Sequence, residues 1–311
     1  MPNPLAIIGA PSSAGAYAAG QERAPHALRG AGLIEKLRGH GIAVEDRGDV
    51  PGFRWRADPE NPRAMNVDPV ARVARATAVH VAAAMAKGAR PLVLGGDCTV
   101  EIGTVAGARA GSDSVGLVYI DHDTDLNTPE STTDGALDWM GVAHLLGIDG
   151  ATPELVNLGI HAPLLSPDQV LFFGSGNSTL AERRIIETHR MVEVPANQVA
   201  ADPAAAAQFV LSDWARRFDR LLIHLDVDVL DFLDIPLAEN TRRNVGLKLE
   251  QLMIALTLLL AAPNFAALTV CEVNPDHGEA DGSTLVTFAD ALADSFAEAR
   301  RARMVAHRAA M

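Results

Sequence analysis

The feature that most restricts this chain is the alternation of short apolar runs with longer amphipathic stretches. Leu5 to Ile8, Pro91 to Leu94, Val115 to Ile120, Val170 to Phe173, Leu221 to Leu225 and Ala267 to Val270 read as buried strands. Between them, Ala24 to Leu37, Pro69 to Ala86, Leu180 to Glu187, Pro203 to Arg217, Leu247 to Leu260 and Phe288 to Arg301 have helical length and apolar spacing. The alternation predicts an α/β fold, a three-layer α/β/α domain whose mostly parallel central sheet carries helices on both faces. With 311 residues, 48% of them hydrophobic, a single domain over residues 1–311 can bury its own core. Pro51 to Pro62, rich in Pro, Arg and acidic residues, reads as a surface excursion.

Several function classes are disfavoured at once. A formal charge of −13 supplies no basic face for phosphate contacts, so no nucleic-acid partner is expected. The apolar run near Met1 is too short for a signal-peptide core, and no stretch is long enough to span a membrane. Cys98 and Cys271 are the only cysteines and suggest neither a disulfide framework nor a four-ligand zinc site. A reducing, cytoplasmic location is the expectation.

Ligands of open α/β sheets gather at the carboxyl ends of the strands, and three clusters fall there. Gly95-Gly96-Asp97-Cys98 follows Pro91 to Leu94; its glycines permit a tight exit that aims Asp97 and Cys98 into the crevice, although such a turn is also a plain packing device. Asp121, Asp123 and Asp125 follow Val115 to Ile120, as either a solvated acidic turn or a site for a hard cation. Asp226 and Asp228 continue Leu221 to Leu225, where strand alternation places them on one face with His224. Carboxylates at the end of a buried strand are costly unless paired or metal-bound, which favours metal ligation.

Together these segments resemble the ureohydrolase family of arginases and agmatinases, whose Gly-Gly-Asp-His, Asp-x-His-x-Asp and Asp-x-Asp segments hold two manganese ions that activate a bridging hydroxide. Ile8-Gly9-Ala10-Pro11, Asp125-Leu126-Asn127-Thr128-Pro129 and Glu272-Val273-Asn274-Pro275 extend the similarity over about residues 5 to 300. The resemblance implies an arginase-like fold, Mn2+ as cofactor, a small guanidino substrate and a homo-oligomer, trimeric or hexameric.

The carry-over is not clean. Asp121, Asp125, Asp226 and Asp228 stand where the family has aspartate ligands, but Cys98 and Asp123 stand where it has histidines. Both are competent ligands, so the pattern looks like replacement rather than loss. Two divalent ions balance four carboxylates and two imidazoles, whereas five carboxylates and a thiolate leave two negative charges over. A protonated ligand, a single metal ion or a more highly charged metal would each relieve that excess.

Beyond the ligands, the resemblance implies that Glu272 pairs with the substrate guanidinium and that Asp138 stands in for a proton-shuttling histidine. Asn127, Asp134, Thr179, Glu182 and Asn240 fall at or near substrate-contacting positions, and Asp134 replaces a serine that helps hold an α-carboxylate. A carboxylate there repels another, so free arginine is not the expected substrate. Two readings follow. One is a metal-dependent hydrolase of a guanidino or related amidine compound, acting on a C–N bond to release urea or a urea-like product; the other is a catalytically impaired arginase-fold protein that binds a ligand or metal.

Overall fold

The computed structural model describes residues 3–132 and 134–309. Its strands are β1 (Leu5–Gly9), β2 (Val44–Asp49), β3 (Arg90–Leu94), β4 (Val115–Ile120), β5 (Val170–Ser175), β6 (Val192–Pro195), β7 (Arg220–Asp226) and β8 (Phe265–Cys271). They form one sheet in the order β2-β1-β3-β8-β7-β4-β5-β6, with every pairing parallel. The early helices are α1 (Ala24–Gly30), α2 (Leu33–Gly39), α3 (Val67–Ala86), α4 (Val100–Arg109) and α5 (Gly141–Leu146). After them come α6 (Pro153–Val156), α7 (Leu180–His189), α8 (Ala196–Ala201), α9 (Pro203–Phe209), α10 (Leu249–Leu260) and α11 (Ser283–Ala309). Among the described residues no helix is long and apolar enough to cross a membrane.

Strand side chains alternate between two buried layers. Leu94, Ile120, Ile223, Leu225 and Val270 pack with Leu28 of α1, Leu37 of α2, Leu256 of α10 and Leu292 of α11. Leu117, Tyr119, Phe172 and Leu222 pack on the other face with Ala74 of α3, Val105 of α4, Leu145 of α5 and Ile186 of α7. This is the expected three-layer arrangement. Helix α4 lies unusually close to α3: a Cβ on Gly103 would sit 2.5 Å from the Ala74 carbonyl oxygen, and one on Gly107 2.6 Å from that of Ala78. Glycine is required at both positions for the helices to approach.

Several boundaries differ from the sequence reading. The stretch from Ala24 to Leu37 breaks into α1 and α2 at Gly32, whose φ of 81° no continuous helix accommodates. Pro203 to Arg217 is α-helical only to Phe209, then widens into a π turn and ends in a tighter 3-10 turn. β2 and β6 were not foreseen: both are sheet edges, and β2 reads Val-Glu-Asp-Arg-Gly-Asp with no buried residue.

Candidate functional site

The strand order brings the three clusters of the sequence together. β3, β8, β7 and β4 are consecutive neighbours, so Gly95–Cys98, Glu272, Asp226–Asp228 and Asp121–Asp125 leave the sheet side by side. In register, Leu94 pairs with Val270, Asp226 with Cys271 and Ile120 with Leu225. The β3 exit is pressed against the β1 exit, where a Cβ on Gly96 would lie 1.7 Å from the Ser12 carbonyl oxygen. Asp97 then holds the turn, accepting from the Gly15 and Thr99 amides at 3.0 Å each, and Cys98 is delivered to the crevice.

Two carboxylates are fixed by their own turns. The Asp123 amide donates to Asp121 Oδ1 at 2.7 Å, and the Asp228 amide to Asp226 Oδ1 at 2.6 Å. Asp226 Oδ2 faces Cys98 Sγ at 3.2 Å, while the outer oxygen of Asp121 and one oxygen of Asp228 are buried without a partner. Asp125, at φ 47°, accepts from the Tyr119 hydroxyl. Ligand atoms of Cys98, Asp121 and Asp125 lie within 4.8 Å of one another, as do those of Asp121, Asp123 and Asp228. A cation bound by Cys98, Asp121 and Asp125 would meet the orphaned oxygen of Asp121, so this part of the donor set fits a metal ion.

Glu272 and Asp138 stand beside the cluster, within 4.8 Å of Cys98 by their ligand atoms. Asp138 Oδ1 accepts from the Cys98 amide at 2.7 Å. Glu272 adopts φ 65°, a left-handed conformation costly for a non-glycine residue, and this turns its side chain off the strand direction. Its amide donates to the Gly96 carbonyl at 2.8 Å, Gln21 donates to one carboxylate oxygen at 3.2 Å, and the other oxygen has no partner.

Burial dominates the electrostatics. It raises Asp121, Asp125 and Asp226 well above the carboxylate range, reinforced by the neighbouring carboxylates. Asp138 is pushed up to about 8, by burial first and by Asp97 second, and Glu272 rises by burial and by Asp138. Asp123 reaches about 6, because burial and Asp228 outweigh the nearby Arg242. The Cys98 thiol is raised by burial and by Cys271.

The remaining sequence-selected residues divide by position. Asn240 donates to Asp228 Oδ2 at 2.9 Å and so touches the cluster. Asn127 accepts from Thr179 Oγ1 at 3.3 Å, and Thr179 caps α7. Glu182 accepts from the Thr179 and Leu126 amides, at 2.7 and 3.1 Å, and from Thr124 Oγ1 at 3.1 Å, so its lone pairs hold the loop after β4. Asp134 is exposed and accepts from Trp139 Nε1 at 3.0 Å. His122 packs on Gly176 and uses its carbonyl to accept from the Gly176 and Asn177 amides.

Arg242 escaped the sequence reading, while Cys271 and His224 sit against the cluster. Cys271 is buried in a small apolar cluster that also holds Cys98, with its sulfur within 4.8 Å of ligand atoms of Cys98 and His224. His224 stacks on Tyr119 at 4.2 Å, with Nε2 3.2 Å from Cys98 Sγ and Nδ1 3.4 Å from the buried Glu101. Arg242 reaches both Asp123 and Asp228 with its guanidinium. Arg242 lies two residues beyond Asn240, the residue the sequence reading drew from this loop.

The chain is 30% identical over 294 residues to an arginase of Bacillus subtilis (strain 168), covering 94% of this chain and 98% of that protein. The native structure of arginase from Bacillus caldovelox superposes with a TM-score of 0.84 at 27% identity, covering 94% of this chain and 98% of the other. A Bacillus subtilis formimidoylglutamase, 17% identical, shares the fold with a TM-score of 0.73, covering 97% of this chain and 87% of the other. The arginase-family model matches residues 3–297, and the chain belongs to the arginase family.

Proposed function

We propose that this protein is a metal-dependent hydrolase that acts on a C–N bond of a guanidino or related amidine compound other than free arginine. The observation that carries the reading is the convergence of buried carboxylates with unpartnered oxygens at Asp121, Asp228 and Glu272. Natural interiors rarely leave such atoms orphaned unless a cation completes them. Cys98, Asp121, Asp123, Asp125, Asp226 and Asp228 form the donor set from which metal ligands are drawn in this reading, and its oxygen-rich composition suits a hard divalent ion such as Mn2+. A bound ion supplies an activated water at neutral pH.

The chain's own residues do the rest. Glu272 directs its free oxygen at the cationic amidine, fixing the carbon beside the cluster. Asp138, whose carboxylate lies within 4.8 Å of Cys98 and Glu272 by their ligand atoms, is the group that would exchange a proton with the departing amine. Asn127, Thr179 and Asn240 offer polar contacts to the rest of the substrate, while Glu182 braces the loop that carries Asn127. The fold is shared with a formimidoylglutamase and an agmatine ureohydrolase, so it is not tied to arginine. A homo-oligomer in the cytoplasm completes the reading by family likeness.

Protein purified without chelators is expected to carry metal and to release urea or a urea-like product in a screen of guanidino and amidine compounds. Less than about a tenth of an equivalent of transition metal after incubation with manganese would refute it. Metal without turnover of any amidine would instead support the non-catalytic binding role. A smaller effect concerns Asp134. Removing its charge by Asp134→Ser should raise the relative use of carboxylate-bearing substrates by less than about tenfold, because an exposed carboxylate is screened by solvent. An unchanged agmatine-to-arginine ratio would show that the substrate does not pass this residue.

A further inference from the structure

The two donor groups that share Asp121 are not equivalent. Among the described residues no lysine or arginine bonds Cys98, Asp121 or Asp125, and Asp121, which both groups share, keeps one oxygen without a partner. In the group of Asp121, Asp123 and Asp228, a cation is already present. Arg242 Nη2 bonds Asp123 Oδ2 and its Nη1 lies 3.2 Å from Asp228 Oδ2. Asn177 occupies the other oxygen of Asp123 at 2.5 Å, and Asn240 shares Asp228 Oδ2 at 2.9 Å. Asp228 Oδ1 is buried without a partner, but both oxygens of Asp123 are taken, so an ion entering this half would have to strip donors from Asp123 and sit beside the guanidinium.

We propose that Arg242 is a built-in replacement for one of the two family cations, so that the chain takes up one metal ion per subunit, on the Cys98 side, and not two. This rests on the reading of the cluster as a metal centre. A guanidinium is planar, permanently charged and able to bond two carboxylates with separate N–H groups, which makes it an effective substitute for a divalent ion between Asp123 and Asp228. Its backbone is anchored, since the Arg242 carbonyl accepts from the Phe232 amide at 2.9 Å. The side chain is only 27% exposed, while that of Asp228 is 1% exposed, so the contact is shielded from water. A second divalent ion on the same carboxylates would face an adjacent fixed positive charge. The Asp123 carboxylate, where the family has a neutral imidazole, completes the logic: an acid at this position gives the guanidinium its second partner.

The test is a metal-binding titration of the full-length protein with Mn2+, read by metal analysis and by electron paramagnetic resonance. Wild type is expected to saturate at about one equivalent, with the six-line spectrum of an isolated ion. Arg242→Gln, which removes the charge, is expected to gain a second equivalent, with about a hundredfold tighter second binding and the altered spectrum of a coupled pair. Arg242→Lys keeps a cation and should stay at one equivalent, which separates charge from a general disturbance of folding. Two equivalents in wild type, or no second equivalent in a folded Arg242→Gln protein that still binds the first, overturns the proposal and leaves the metal-centre reading intact. No binding by any of the three proteins removes the metal-centre reading itself, and this inference with it.

Discussion

Glu272→Gln is expected to lower kcat/KM for the best amidine substrate by about a hundredfold, equivalent to roughly 2.7 kcal/mol, while leaving the metal content unchanged. Glu272 is buried, and one of its oxygens is occupied by Gln21 while the other is free. A charged hydrogen bond to a cation in such a place is worth about 1.5–3 kcal/mol. The amide of glutamine would remove the charge and turn an N–H donor toward the N–H groups of the amidine. Stability should move the other way. Burial and the neighbouring Asp138 already oppose ionisation of Glu272, so the neutral variant is expected to melt no lower than wild type. A kcat/KM within about threefold of wild type would remove Glu272 from substrate recognition. Loss of metal together with a lowered melting temperature would assign it to the framework instead.

The left-handed conformation of Glu272 also marks the limit of what the sequence discloses. Strand alternation places Asp226 with His224, and the structure agrees, because β7 stays regular to its end. At the end of β8 the backbone switches to φ 65° at Glu272, and alternation no longer tells which way a side chain points. Helix α4 was missed for a related reason: its residues Val100 to Ala108 are all buried, so it has no polar face to give a helical period. The edge strand β2 failed oppositely, being charged along both faces. Arg242 belongs to a third kind. An arginine in a polar loop reads as solvated, and only the fold shows that the loop crosses back over Asp123 and Asp228.

The metal-free protein is expected to become more stable as the pH falls from 8 to 6, with a rise in melting temperature of at least about 5 °C. In the unfolded chain these carboxyls titrate near 3.9–4.3. In the folded chain, burial raises Asp123 to about 6 and Asp138 to about 8, and carries Asp121, Asp125, Asp226 and Glu272 well above the ordinary range. Between the unfolded and folded values the folded state binds more protons than the unfolded one, so stability falls as the pH rises. For Asp123 that window closes near 6; for Asp138 it runs on to about 8, so Asp138 contributes to the slope between pH 6 and 8 after Asp123 has finished. Each extra proton held by the folded state changes stability by about 1.4 kcal/mol per pH unit. Bound metal opposes this trend, because it selects deprotonated ligands and its contribution grows as the pH rises. Differential scanning calorimetry with and without manganese should therefore show a shallower or opposite slope for the loaded protein. Asp138→Asn should flatten the metal-free profile between pH 6 and 8 while leaving the part below 6 in place. Burial lowers His122 and takes His144 down to about 4, which opposes the trend as the pH falls through 6.5, so the diagnostic comparison is with Asp138→Asn: an unchanged slope between pH 6 and 8 in that variant would mean that Asp138 stays ionised in the folded protein.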